Sequence, residues 1–187
     1  MENTIAGKFM VVSDDEICKS LGNLFKPTNT SKSIGEFGII FDSAIDFAST
    51  CFKPEIPKRA TTGSAGYDFY APFTFTLKPG DTIKIPTGIK CQMNPGWVLQ
   101  VYPRSSLGFK HRICLDNTVG IIDQDYFGNP NNEGHIFIKI TYDKPTGSDV
   151  TIHAGEAFAQ GIFSRYGVTE DDDATGIRNG GIGSTNK

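Results

Sequence analysis

The sequence predicts an all-β fold: a sandwich, jelly roll or barrel. Three observations carry this. From about Lys53 onward, apolar and polar residues alternate in short runs, the period of half-buried strands. Turn signals built from Gly, Pro and Asn divide those runs at near-regular intervals, as in all-β domains. Helical spacing is confined to the first fifty residues. At 187 residues, the chain is long enough for one domain with a sizeable core.

Taken in order, Lys8–Val12 reads as a short strand. Ser13-Asp14-Asp15-Glu16 reads as a capping box, with Glu three residues after Ser. Ile17, Leu21, Leu24 and Phe25 follow at helical spacing until Pro27, and Gly22 weakens that helix. A second short helix is expected over Ser43–Ser49, beyond the polar loop PTNTSKS. Phe73, Phe75 and Leu77 then alternate with threonines, and KPGD at 78–81 is a turn. Ile83, Ile85, Ile89, Cys91 and Met93 continue the alternation, and NPG at 94–96 is a second turn. Trp97–Tyr102, His135–Tyr142, Val150–His153 and Phe158–Phe163 are the later strands. The tail EDDDATGIRNGGIGSTNK is polar and glycine-rich, a composition expected to move when nothing holds it. These boundaries divide the chain into an extension over 1–52, a β domain over 53–170 and an arm over 171–187.

A net charge of −3 and a pI near 5.6 leave no basic excess to neutralise a nucleic-acid backbone. No apolar run reaches the length of a membrane span, and the N-terminus lacks the pattern of a secretory signal. Four cysteines, at 18, 51, 91 and 114, form no CxxC pair and have no histidine at ligand spacing. A zinc site or a disulfide framework is therefore not expected, and a cytoplasmic protein with reduced thiols is.

Three segments look out of place in a plain β domain. SAGYDFYA (64–71) sets Asp68 between Tyr67 and Phe69; it is either a strand-edge carboxylate facing solvent or a buried one needing a partner, metal or water. YPRSSLGFKHR (102–112) joins an arginine to two serines at a helical turn. That is either an anion site or an ordinary N-cap. VGIIDQDYFGN (119–129) carries an apolar run into Asp123, Asp125 and Tyr126, and reads as a hairpin tip whose return strand starts near His135.

Together, SAGYDFYA, PRSSLG, NTVGIIDQDYFGN, GEAFAQ and RNGGIGST resemble, in order and spacing, the five motifs of the trimeric dUTPase family, over roughly residues 53–187. The third motif is the most specific. The resemblance implies a homotrimer of jelly rolls that hydrolyses dUTP to dUMP and pyrophosphate with Mg2+, at sites between subunits. Such an activity keeps uracil out of DNA and supplies dUMP for dTMP synthesis. It casts Asp123 as the general base that activates water against the α-phosphorus. Arg104, Ser105, Ser106 and Gln160 match phosphate-contacting positions, and Asp68 matches the carboxylate that helps hold the metal. Gly120 and Ile122 match the main-chain frame around uracil, Asn117 a position near the uracil or the water, and Tyr126 the ring that excludes a ribose 2′-hydroxyl. Gly134 matches a base-contacting glycine. Arg178, Ile182, Gly183, Ser184 and Thr185 match the arm that folds over bound nucleotide.

Two departures stand out. Ile182 occupies a place where the family usually carries an aromatic residue, and the segment between Arg178 and the following glycines is one residue shorter than the common form. The loop GNPNNEGH after the third motif is also long. A dCTP deaminase shares PRSSL but needs a glutamate on the following strand, where this chain has His135–Tyr142 without one. A non-catalytic nucleotide-binding protein on the same scaffold would have lost Asp123, which is intact. Residues 1–52 have no counterpart in the family pattern. They either bind a separate protein partner or cover the sandwich, and the need to bury Ile17, Leu21 and Phe25 favours covering.

Overall fold

The computed structural model describes residues 4–22 and 51–181. Twelve strands dominate those residues, with two α-helices and one 3-10 turn. The largest sheet has five strands in the order β2 (Lys58–Arg59), β3 (Tyr67–Tyr70), β12 (Ala157–Arg165), β7 (Trp97–Pro103) and β9 (Gly120–Ile122). A three-stranded sheet orders β5 (Thr82–Pro86), β10 (Phe137–Tyr142) and β8 (Ile113–Leu115), and β11 (Val150–Ile152) pairs with β4 (Phe75–Leu77). All pairings are antiparallel. The alternating residues meet in one core that includes Phe69, Phe75, Ile85, Leu99, Ile138 and Phe158. The architecture is the β jelly roll of the sequence expectation. The helix expected at Ser43–Ser49 lies outside the described residues, as do Leu24 and Phe25.

The KPGD turn forms as read. The Asp81 amide donates to the Lys78 carbonyl at 2.9 Å, and the Asp81 carboxylate accepts from the Lys78 amide at 2.8 Å. All four cysteines are free. Among the described residues, no helix is long and apolar enough to cross a membrane.

The hairpin expected around Asp123 is not a hairpin. Strand β9 pairs with β7, whereas β10 pairs with β5 and β8 in the other sheet. Residues 123–136 therefore cross between sheets. Alternation reveals which face of a strand is buried, not which strand it pairs with.

Residues 4–22 join this framework directly. Strand β1 (Gly7–Val11) pairs with β6 (Ile89–Met93). Helix α1 (Asp14–Gly22) buries Ile17 and Leu21 in the core. One half of the capping box forms, with the Glu16 amide donating to Ser13 Oγ at 3.2 Å. The reciprocal half is supplied from a distance. Glu133, not Glu16, accepts from the Ser13 amide at 3.2 Å, and it also accepts from the Ser13 hydroxyl. Glu16 turns inward instead, where His135 Nδ1 lies 3.1 Å from its Oε1 and Ser20 Oγ donates to it at 2.9 Å. The Gly88 amide donates to His135 Nε2 at 2.8 Å. That bond makes Nε2 the acceptor and leaves the ring proton on Nδ1, facing Glu16.

This junction gives a pH-dependent stability. Burial holds the His135 pKa below its ordinary 6.5, against the opposing pull of Glu16. A second proton on Nε2 would also face the Gly88 N–H. The unfolded chain therefore binds this proton first, and stability falls as pH drops below about 6.5. Glu133 is held at about 2, below its ordinary 4.5, chiefly by its hydrogen bond from Lys90 and then by Ser13. Its contribution is present above 4.5 and is lost as pH falls toward 2. Thermal melts across this range should show Glu133→Gln losing less stability than the parent over the acid limb. Parallel curves would contradict the assignment.

Candidate active site

Two cavities collect most of the sequence-predicted site residues. The first, about 290 Å³, is lined by Asn117, Gly120, Ile122, Asp123, Tyr126 and Arg178, among others. The second, about 530 Å³, is lined by Arg104, Ser105 and Gln160 beside Tyr102 and Phe109. No residue lines both. Val101 lines the first and Tyr102 the second, and they are neighbours on β7. Successive strand side chains point to opposite faces, so the two cavities take opposite faces of this strand.

The first cavity is built at the end of β9. Gly120 stands opposite Val101 on β7, and a Cβ on Gly120 would come within 3.2 Å of the Val101 Cβ. A glycine here lets the two backbones lie close, so that the next residues open into the cavity rather than fill it. Asp123 follows in extended conformation, and the 3-10 turn Gln124–Tyr126 swings the Tyr126 ring inward, where it is buried. Burial raises the Tyr126 pKa, so its hydroxyl remains a donor. It donates to the His135 carbonyl at 2.9 Å and accepts from Asn132 Nδ2 at 2.7 Å.

The arm reaches the same place. Arg178 pairs with the carboxylate of Asp123, and its Nε lies 2.8 Å from Asp125 Oδ1. Its guanidinium stands 6.0 Å from the centre of the Tyr126 ring. Asn131 Nδ2 donates to the Asn179 carbonyl at 2.8 Å. A cation held here by two partly exposed carboxylates can exchange them for a polyanionic ligand.

The second cavity follows from strand register. Asp68 on β3, Gln160 on β12 and Tyr102 on β7 are cross-strand partners in one row, so they share a face. Arg104 lies just beyond, with Nε 3.7 Å from Asp68 Oδ1. Of the two readings of Asp68, the partnered one holds: its side chain is 17% exposed and faces a cation. Helix α2 (Ser105–His111) starts after Arg104, which occupies the N-cap without a side-chain cap bond. The serines are thus not the N-cap. Both lie exposed on the first turn. Gln160 Nε2 donates to the Pro103 carbonyl at 3.3 Å.

Gly134 lines neither cavity. Its backbone has φ +82°, and a Cβ there would sit 2.5 Å from the Tyr126 carbonyl oxygen. The structure gives it a place behind Tyr126. Ile182, Gly183, Ser184 and Thr185 lie outside the described residues. Lys84, Phe137 and Lys139, which no motif of the sequence marks, also line the first cavity. Lys84 Nζ stands 4.4 Å over the Phe137 ring, and Lys139 pairs with Asp116 at 2.6 Å. The one available signal was the alternation of β10, which puts Phe137 and Lys139 on the same side.

Comparisons with known proteins bear on the family and the fold. The sequence model of the dUTPase family matches residues 53–186. A deoxyuridine 5'-triphosphate nucleotidohydrolase of Lactococcus lactis subsp. lactis is 45% identical over 132 residues, covering 70% of this chain and 87% of that protein. The enzyme of the same name from Burkholderia mallei is 37% identical over 140 residues, covering 71% and 89%. Among solved structures, the dUTPase from Streptococcus mutans superposes with a TM-score of 0.56 at 39% identity, over 62% of this chain and 88% of that one. A dUTPase variant from phage phi11 of S. aureus, which shows coordination of a structural Mg(II) ion, has a TM-score of 0.54 at 20% identity, over 66% and 90%; that likeness shows the fold alone. Fold, ordered motifs and sequence identity converge: the chain belongs to the dUTPase family and is a dUTP diphosphatase.

Proposed function

We propose that this protein cleaves dUTP to dUMP and pyrophosphate by water attack on the α-phosphorus, with Asp123 as general base. The observation that carries this reading is that Asn117, Gly120, Ile122, Asp123 and Tyr126 line one cavity. The backbone of β9 offers N–H and C=O groups to the uracil edge. Cytosine there would leave buried polar groups unpaired, a mismatch that can discriminate by about 10⁴-fold or more. Tyr126 lies against the sugar and leaves no room for a 2′-hydroxyl. Asp123 follows β9 directly, where it can hold the attacking water. Arg104, Ser105, Ser106 and Gln160 take the phosphates. When the triphosphate enters, Arg178 exchanges its carboxylate partners for phosphate oxygens, and residues 182–185 close over the nucleotide.

The donor set fits a magnesium ion that arrives with the nucleotide. Asp68 is the protein carboxylate placed to hold its water shell, and among the described residues no three His, Cys, Asp or Glu side chains form a cage. Magnesium keeps several waters and commonly binds through one or two carboxylates plus substrate phosphates. Its chemistry would be neutralisation of charge along the phosphate chain.

The catalytic unit is a homotrimer. The separation of the two cavities supports this, because the base face and phosphate face of one chain point apart. Phe109 supports it too: it lines the phosphate cavity and is 90% exposed, and a large exposed apolar side chain beside a site marks a surface for covering. The reduced thiols suit the cytoplasm.

A pyrophosphate-release assay with dUTP, dTTP, dCTP and UTP tests the reading. Turnover restricted to dUTP is expected; equal turnover of dCTP or UTP would overturn it. Ile182 bears on affinity. An aliphatic side chain can cover the base but has no π face, so Ile182→Phe should lower KM for dUTP with kcat little changed. An unchanged or raised KM would count against a base contact at 182.

A further inference from the structure

We propose that residues 4–22 brace the Tyr126 ring and thereby set discrimination against ribonucleotides, an inference that rests on Tyr126 being the sugar wall. Tyr126 is anchored from behind by two groups of the loop 127–136. Its hydroxyl donates to the His135 carbonyl at 2.9 Å and accepts from Asn132 at 2.7 Å. Gly134, between them, packs so close that an added Cβ would sit 2.5 Å from the Tyr126 carbonyl oxygen. The height of the ring in the cavity therefore follows the position of this loop.

The loop is long, and its own turn bonds are local. It is fixed to the body of the protein from two sides: Ile136 and His135 Nε2 bond to segment 87–89, and α1 with its Ser13 cap holds Asn131, Glu133 and the Nδ1 side of His135. The buried imidazole of His135 meets Glu16 and Ser20, each 3.1 Å from Nδ1. Glu133 takes both the amide and hydroxyl of Ser13, and the Lys90 ammonium at 2.7 Å. Lys19 donates to the Asn131 carbonyl. Ser13, the pair Glu16 and Ser20, and Lys19 thus hold three different loop residues, and β1 and the buried Ile17 and Leu21 tie that segment to the core. The capping-box half supplied by Glu133 makes the start of α1 and the loop one unit.

Ser13, Glu16, Ser20, Glu133 and His135 are positioning residues; the route to the substrate runs through Tyr126. A steric wall against a single hydroxyl is sensitive to small displacements, whereas water attack at the phosphorus is set by Asp123, on the other side of the turn. Loosening the brace should therefore admit UTP more than it slows dUTP.

The test measures kcat and KM for dUTP and UTP, with melting temperature, for Glu16→Ala, Glu16→Gln and Ser13→Ala. Ile152→Val, in the remote strand β11, serves as a stability control. Glu16→Ala is expected to lower the dUTP-to-UTP ratio of kcat/KM by about tenfold, mainly through gained UTP turnover, with dUTP kcat within about threefold. Glu16→Gln keeps an acceptor for the Nδ1 proton and should retain most of the ratio. Ser13 is exposed, so Ser13→Ala keeps the fold and should lower the ratio by about threefold; it decides the matter if Glu16→Ala does not fold. Ratios within about twofold of the parent in folded Glu16→Ala and Ser13→Ala, or an equal fall in Ile152→Val, would overturn the brace. Failure of the parent to hydrolyse dUTP would instead overturn the hydrolase reading.

Discussion

Asp123→Asn is expected to lower kcat for dUTP by about 10²–10⁴-fold, the usual worth of a positioned general base, with KM moved by about threefold or less. The amide keeps the shape of the carboxylate and can still hold a water, but it cannot accept the proton. The neighbouring Asp125 supplies the control. It pairs with the same Arg178, so both substitutions disturb the resting contact of the arm. Only the loss at 123 removes the base. Asp125→Asn should therefore fall far short of the Asp123→Asn defect. Pyrophosphate release under single-turnover conditions separates chemistry from product release. Comparable turnover of Asp123→Asn and parent would remove Asp123 from the reaction.

Asp123 could be singled out from sequence through the resemblance of its segment to the dUTPase motif, which is contiguous. Gly120, Ile122, Asp123 and Tyr126 lie within one strand and one turn and line one cavity together. The strands were legible for a similar reason, since burial alternates along each one regardless of its partners. Pairing was not legible. The departure of β10 into the other sheet depends on contacts with β5 and β8, which no local pattern encodes. The α1 cap shows the same divide. Ser13 was readable as its start, but its reciprocal acceptor is Glu133, about 120 residues away in sequence. Glu16, which matches the local motif, is drawn off by a buried histidine. The inner cavity wall stayed hidden too, because Phe137 and Lys139 look like any alternating strand residues until the chain is folded.

The second large effect concerns assembly. Arg104→Ala should lower kcat/KM for dUTP by about 10²–10³-fold, the usual loss when one preorganised donor to developing charge is removed. Asp123→Asn is similarly impaired, so each variant alone is nearly inactive. Their mixture distinguishes two arrangements. Asp123 and Arg104 belong to cavities with no shared lining residue, on faces that β7 turns apart. If a working site takes its base from one chain and its phosphate arginine from another, random mixing of equal amounts leaves both intact in about a quarter of sites. Subunits exchanged by co-refolding should then recover about a quarter of parental activity. The same chains kept separate and combined only at the assay should recover none. If one chain supplied both groups, every site in the mixture would carry one defect, and activity would stay at the mean of the two variants. Recovery that requires co-refolding follows from a site shared between subunits; its absence, with exchange verified by two differently sized tags, would place catalysis within the single chain.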